Sequence, residues 1–217
     1  MTGLGVLRAS LPYLLHGALA TLLLAIAVIV LGTTLGIVLG ALAMTVPRPV
    51  RIAIGAYIFL LRGVPVLVVM FLFYYALPEA GIRVSGYVSV GLAQTFYVAA
   101  FAAEIVRSAI LSVPAGQVAA ARSLGMRQRT ILLQVVLPQA TRIAIPPLLN
   151  NALIAVKQTS YASIVGVWEL TYAAREVVER TLAAFQIFLG VMAIYFLICY
   201  PLARAAGWAE RRSAAAS

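Results

Sequence analysis

The polar residues that could do chemistry in this chain are few, and they lie within apolar stretches. Lys157 is followed by Gln158 and Ser160 inside an otherwise apolar run. An ammonium in such a run is costly unless it is paired or hydrated, so it marks a candidate functional position. It could bind the carboxylate of a small solute, while the neighbouring amide and hydroxyl fix the solute's orientation. The alternative is a structural ion pair with Glu104 or with a neighbouring subunit.

A second group of charges surrounds an interrupted helix. Arg62 precedes Gly63-Val64-Pro65, where proline removes a backbone donor. Arg62 therefore either contacts a solute or satisfies carbonyls that the break leaves free. Glu104 and Arg107 are three residues apart, so they share a helical face and can pair. We predict that Arg62 and Glu104, together with Lys157, Gln158 and Ser160, line a pathway for a polar solute.

Catalysis is not indicated. The chain has one cysteine and one histidine, which exclude an internal disulfide framework and argue against a structural metal site. It also lacks the Gly-x4-Gly-Lys-[Ser/Thr] loop that binds nucleotide phosphates, so we predict that it is not an enzyme and does not hydrolyse ATP.

Composition indicates an integral membrane protein. Hydrophobic residues make up 64% of the 217 residues and charged residues 10%, against about a quarter in soluble domains. The mean hydropathy is +1.04. The net charge of +10 could suggest nucleic acid in a soluble protein, but here it fits cytoplasmic loops, where Lys and Arg accumulate. We predict no nucleic-acid partner.

The apolar stretches predict an all-α integral membrane protein of one domain, 1–217, with five transmembrane helices. In the first, Gly32, Gly36 and Gly40 leave room for close packing of another helix, within the chain or in a dimer. The fourth is opened by Pro146-Pro147 near its first turn. The predicted spans are 12–44, 52–77, 88–111, 143–165 and 181–203.

The distribution of arginine predicts the orientation. The segments 44–51 and 112–142 and the tail after 203 hold nine arginines, whereas the opposite side holds four, offset by four glutamates. The amino terminus is therefore predicted outside and the carboxyl terminus inside. An odd number of spans excludes a simple pair of inverted repeats within one chain, so a complete pathway should need a second subunit.

The segment 113–140 is longer than a simple loop requires. Pro114 suits a helix start and Gly125 a left-handed helix end, which predicts a helix over 115–124. A second helix is predicted over 127–137, ending before Pro138. Such a pair either docks another protein on the cytoplasmic side or anchors the loop at the membrane surface.

The same segment carries a resemblance to a known family. Gly116-Gln117, Ala120-Ala121-Arg122-Ser123-Leu124-Gly125 and Val136-Leu137-Pro138-Gln139-Ala140 closely resemble the cytoplasmic loop of bacterial ABC importer permeases. Further stretches look like the polar amino acid branch, of histidine, glutamine and arginine type: 59–65, 103–107, 112–117 and 157–160. The resemblance implies that Gly116, Gln117, Ala120, Ala121, Arg122 and Gly125 couple the chain to an ATPase.

Two positions depart from the family pattern. Ala119 stands where a glutamate thought to support docking is typical, and Gln158 stands where the family often has Asp. The first departure removes a carboxylate from the docking surface that the family pattern implies. The second removes a carboxylate near Lys157, which can change the solute charge that the pathway prefers.

The resemblance also implies the partners. They are a pair of cytoplasmic ATPases that hold ATP and Mg, a second permease that is identical or similar, and a periplasmic or extracellular binding protein. No cofactor is expected in this chain, which would lie in the lipid of the bacterial cytoplasmic (inner) membrane and import polar amino acids or close derivatives. The alternatives are a stand-alone channel or secondary transporter for small polar solutes, and a membrane scaffold.

Overall fold

The computed structural model describes residues 3–214, with side chains described over 5–212, and this part of the chain is helical with no β-strand. The α-helices are α1 (Gly3–Leu42), α2 (Arg48–Gly63), α3 (Val66–Glu79), α4 (Gly86–Leu111), α5 (Ala115–Ser123), α6 (Gln128–Ile131), α7 (Leu137–Gln158), α8 (Leu170–Thr181) and α9 (Ala184–Ala214). The predicted all-α membrane fold is confirmed.

The described residues form four helices that are long and apolar enough to cross a membrane: Gly5–Leu42, Gly86–Leu111, Gln128–Val165 and Ala184–Arg212. Helices α2 and α3 pass the same test only together, and they are bent by 108° where they meet. Val64 and Pro65 form the extended break between them. The proline cannot donate to the preceding turn, as the sequence indicated. Five spans are therefore reached only if this bent pair counts as one.

Helix α4 lies at the centre of the fold. Its small residues, including Ala99, Ala102 and Ala103, are completely buried. The glycines of α1 pack against them: a Cβ added at Gly36 would lie 2.4 Å from the Cβ of Ala102 and 2.7 Å from the carbonyl oxygen of Ala99. The glycine repeat thus serves helix packing within the chain.

The helix predicted to end before Pro138 does not end there. The α-helix α6 passes into a π-helical segment, Leu132–Val136, and then directly into α7. The Leu137 N–H donates to the carbonyl of Leu132, five residues back. This wider turn accommodates a proline that has no N–H to donate and would clash in a regular α-helix. In addition, the Gln139 amide donates to the carbonyl of Val135 at 2.8 Å.

Other helix bounds also differ from the prediction. Pro146 and Pro147 lie inside α7 rather than in the first turn of a helix that starts at 143. The helix α8 was not predicted; it is amphipathic and short, so it carries no membrane-span signal. Helix α9 continues past 203 to Ala214, and α1 is already helical at Gly3.

Candidate functional site

The segment between α4 and α7 begins with the short helix α5, which has a well-defined end. Gly125 has φ +74°, the left-handed conformation expected there. Its N–H donates to the Arg122 carbonyl at 2.9 Å, and the Met126 N–H donates to the Ala121 carbonyl at 3.2 Å. These two bonds form a Schellman motif. The Arg122 guanidinium also donates to the Gln128 side chain at 3.3 Å, which links α5 to α6.

The structure divides the six predicted coupling residues into two kinds. Gly116, Gln117, Ala120, Arg122 and Gly125 are exposed on the surface of the segment. Ala121 is 5% exposed and packs inward. It therefore holds α5 in place and does not form part of a docking surface. An apolar residue that the motif did not single out, Leu124, is 81% exposed beside them.

The inward side of this segment joins three helices. Ala121 packs in one cluster with residues of α4, α6 and α7 and of the segments that connect them: Ala109, Val113, Ile131, Val136, Ala140 and Ala144. Because protein interiors are close-packed and have low compressibility, a displacement of α5 must also move the helix ends it contacts.

Lys157 lies in the last turn of α7 and is exposed. Within the described residues it pairs with no carboxylate, since Glu104 is bound by Arg62 and Arg107 instead. The structural pairing of Lys157 with Glu104, considered above as an alternative, is therefore wrong for the single chain. Gln158 and Ser160 are partly buried beside it.

The backbone changes from α-helix to 3-10 helix directly after Gln158 and keeps that form over Thr159–Val165. Hydroxyl groups stabilise the change: Thr159 donates to the Val156 carbonyl at 2.7 Å and Ser160 to the Lys157 carbonyl at 2.8 Å. Such 3-10 turns are frequent at the ends of α-helices, and this one ends at Gly166, which has φ +79°.

Gln94 of α4 binds the backbone of α7 just before this change of helix type. It is completely buried in α4, and its amide donates to the Ala155 carbonyl at 2.7 Å. Its Oε1 atom is buried and accepts no hydrogen bond from the described residues. The sequence offered no signal for this role, because a glutamine within an apolar helix shows neither its depth nor its neighbour.

Arg62, Glu104 and Arg107 form one ionic cluster. Arg107 binds the Glu104 carboxylate through two hydrogen bonds, of 2.9 and 2.6 Å. Arg62 lies 3.6 Å from the same carboxylate, and its guanidinium lies 5.7 Å from the ring centre of Phe101. The predicted Glu104–Arg107 pair is present, and Arg62 completes it.

The Arg62–Glu104 pair borders two cavities. One, of about 550 Å³, lies against α2 and the end of α1. The other, of about 400 Å³, lies against α4 and reaches Ile143 and Pro147 of α7. Lys157 lies ten residues beyond Pro147, or about 15 Å along a helix. The predicted pathway residues thus fall into two groups rather than one cluster.

Glu169 has a structural role that was not predicted from the sequence, where it counted only as one of the four glutamates on the outer side. It is completely buried. Its carboxylate accepts hydrogen bonds from Thr21 and Tyr195, each at 3.1 Å, and from the Tyr172 N–H at 2.9 Å. Burial raises its pKa, while these hydrogen bonds act in the opposite direction. Glu169 joins α1, α8 and α9, and its place just before an amphipathic stretch was the available signal.

Comparison with known proteins gives a consistent result. Residues 32–214 match the family model described as "Binding-protein-dependent transport system inner membrane component". The chain is 35% identical over 198 residues to the probable glutamine ABC transporter permease protein GlnM of Bacillus subtilis (strain 168), covering 91% of this chain and 92% of that protein. It is 36% identical over 202 residues to the L-cystine transport system permease protein TcyB of the same organism, covering 93% and 86%.

A solved structure agrees with these relatives. The chain matches a crystal structure of an amino acid ABC transporter with histidines at a TM-score of 0.91 and 28% identity, covering 98% of this chain and 99% of that one. The resemblance to ABC importer permeases that the motifs carried is confirmed. With the family model covering most of its length, the chain belongs to the inner-membrane components of binding-protein-dependent transport systems.

Proposed function

We propose that this chain is the transmembrane subunit of an ATP-driven importer of polar amino acids or close derivatives. The observation that carries the coupling role is α5, whose exposed face is available to a partner while its buried face packs against the ends of α4 and α7. The amino acid class is supported by the names of the relatives, which include glutamine and cystine permeases.

In the proposed mechanism a pair of cytoplasmic ATPases binds the exposed residues of α5, and ATP and Mg stay on those partner chains. Closure of the ATPases would move α5, and the cluster around Ala121 would pass that movement to α4 and α7. A second permease, identical or similar, would complete the pathway, and an external binding protein would deliver the solute.

This proposal is tested by copurification and reconstitution. The tagged chain, expressed with its genomic neighbours, should retain a stoichiometric ATPase, and vesicles should take up solute only with ATP and the binding protein. Uptake by the chain alone, without any ATPase, would instead support a channel or a secondary transporter.

We further propose that the amino terminus is outside and the α5 end is cytoplasmic. Ser85 caps the start of α4, whereas Ser123 is the last residue of α5, beyond the other end of α4, and both are exposed. In a Cys199→Ala background, single cysteines at these positions should react differently with a membrane-impermeant maleimide in intact cells. Labelling of position 85 alone is expected, and labelling of position 123 alone would reverse the orientation.

Lys157, Gln158 and Ser160 are the proposed contacts for the solute. Lys157 is an exposed cation with no carboxylate partner in the described part of the chain, at a change of helix type. A solute carboxylate would satisfy it, and the half-buried Gln158 would add hydrogen bonds. Arg62 and Glu104 remain proposed pathway residues through the cavity that reaches α7.

The test is Lys157→Met, with Lys157→Arg as the matched control that keeps the charge. We expect about a tenfold or greater fall in uptake for the methionine variant, since one charge-assisted hydrogen bond contributes about 1.5–3 kcal/mol. Assembly and ATP hydrolysis should persist. Unchanged uptake at normal expression would return Lys157 to a structural role.

A further inference from the structure

The 550 Å³ cavity beside α2, called here the α2 groove, shares only Arg62 and Glu104 with the transport proposal, and the rest of its lining has no role there. It is formed by the two residues that follow α1, one face of α2 and the end of α4. Its lining includes three arginines and one glutamate: Arg51, Arg62, Arg107 and Glu104. The groove therefore carries an excess of two positive charges.

The face of α2 that lines the groove is charged at both ends and apolar between them. Arg51 and Arg62 are eleven residues apart, or about 16 Å along the helix. Between them lie Ile54, Ile58 and Phe59. Phe59 is 83% exposed, so the apolar strip continues onto the outer surface of α2.

Two of the arginines have N–H groups that make no hydrogen bond within the described residues, so both can bind an anion. Arg107 uses two of its five N–H groups on Glu104. Arg51 donates only to the Val46 carbonyl, at 3.3 Å, among the described residues. Both side chains line the same cavity. A phosphate there would accept several charge-assisted hydrogen bonds.

The middle of the groove is open at Gly55. A Cβ added to this glycine would meet no atom within 4 Å. A glycine inside a helix is also less stable there than alanine would be. The helix therefore has a gap at the centre of the apolar strip, where an acyl chain would fit.

We propose that the α2 groove binds an anionic phospholipid of the leaflet at the α5 end. Its phosphate binds Arg51 and Arg107, and an acyl chain lies along Ile54, Gly55 and Ile58. A small soluble anion would satisfy the arginines but leave the apolar wall without a partner. A phospholipid matches both, and basic pockets between membrane helices bind lipid headgroups in this way.

A second copy of the chain fits the groove less well, because it has few acidic residues to offer. Of its six, Glu104, Glu169 and Glu176 already bind partners within the chain. Glu79 and Glu179 lie at the opposite end, by the loops before α4 and α9. Glu210 remains, near the end of α9, and the test includes it.

The experiment measures lipid retention by the purified full-length chain and its copurifying subunits, without transport. The protein is exchanged into detergent with equal phosphatidylglycerol and phosphatidylcholine, and bound lipid is counted by native mass spectrometry. We expect selective retention of phosphatidylglycerol. Arg51→Gln should lower it about fivefold, because each basic residue near the headgroup contributes about 1 kcal/mol.

Two further variants make the result specific. Gly55→Leu fills the open space and keeps every charge, so it should also lower retention. Arg48→Gln removes an arginine from the first turn of the same helix that does not line the groove, so it should bind as the wild type. Size-exclusion chromatography and thermal unfolding check the fold of each variant.

Equal retention of both lipids, or unchanged phosphatidylglycerol in both groove variants, overturns the proposal. Displacement of the lipid by inorganic phosphate at equal concentration assigns a soluble anion instead. A disulfide between copies carrying Gly55→Cys and Glu210→Cys, in the Cys199→Ala background, assigns the groove to a second subunit. Each outcome is independent of whether the chain imports amino acids.

Discussion

Replacing Gly125 by valine should uncouple the ATPase from transport, because the residue holds the end of α5 in a left-handed turn. Its φ is +74°, and a Cβ there would meet no atom within 4 Å. The cost is therefore entirely in the backbone conformation. For a residue with a Cβ it is about 1–2 kcal/mol, and β-branching adds to it.

That cost acts on a small element. Helix α5 has nine residues and is held at this end by the Gly125 and Met126 hydrogen bonds. A penalty of 1–2 kcal/mol corresponds to about a 5- to 30-fold loss in the population of the closed turn. The exposed face of α5, which is proposed to bind the ATPases, would be ordered less often, while the transmembrane helices would keep their structure.

Two assays measure these effects. Hydrogen exchange at the Gly125 position and at Met126 should accelerate by about the same 5- to 30-fold in Gly125→Val. In reconstituted vesicles, the solute taken up per ATP hydrolysed should fall. Gly125→Asn is the first control, because asparagine tolerates this conformation. Gly116→Ala is a second control for hydrogen exchange alone, because Gly116 lies on the same helix in open space without a positive φ. Wild-type exchange and coupling in the valine variant would refute the reasoning.

Two predictions concern stability. Gly36→Ala should lower the free energy of unfolding in detergent by about 1–3 kcal/mol, because the added Cβ overpacks against α4; the higher helix propensity of alanine offsets part of this loss. Gly91→Ala is the control and should not lower it, because the nearest atom to its added Cβ is at an ordinary 3.6 Å. Equal stability of the two variants would contradict this prediction. Burial raises the pKa of Glu169 above 4.5, so the folded state holds that proton more tightly and its contribution to stability is lost as pH rises from 4.5 through the folded pKa. Glu169→Gln should flatten the fall in melting temperature as the pH rises above 4.5, whereas Glu179→Gln, an exposed change within α8, should not. An unchanged slope in the first variant would assign the pH dependence elsewhere.

The sequence by itself determined the membrane class and the family. Hydropathy depends only on which residues are present, and a long apolar run without charges indicates a transmembrane helix. The break at Pro65 and the left-handed turn at Gly125 were also readable, because proline and glycine act on the backbone where they stand. The prediction failed at Pro138, because a π-helical turn over Leu132–Val136 accommodates a proline that a regular α-helix would not.

Tertiary structure alone decided which polar residues meet between different helices. Glu104 binds Arg62 from another helix as well as Arg107 from its own, which left Lys157 without the partner considered for it. Glu169 and Gln94 became buried because helices distant in sequence close over them. Local pattern fixes a residue's place on its own helix, but burial and partners depend on how separate helices pack, and that packing is set by the shapes of all the contacting side chains at once.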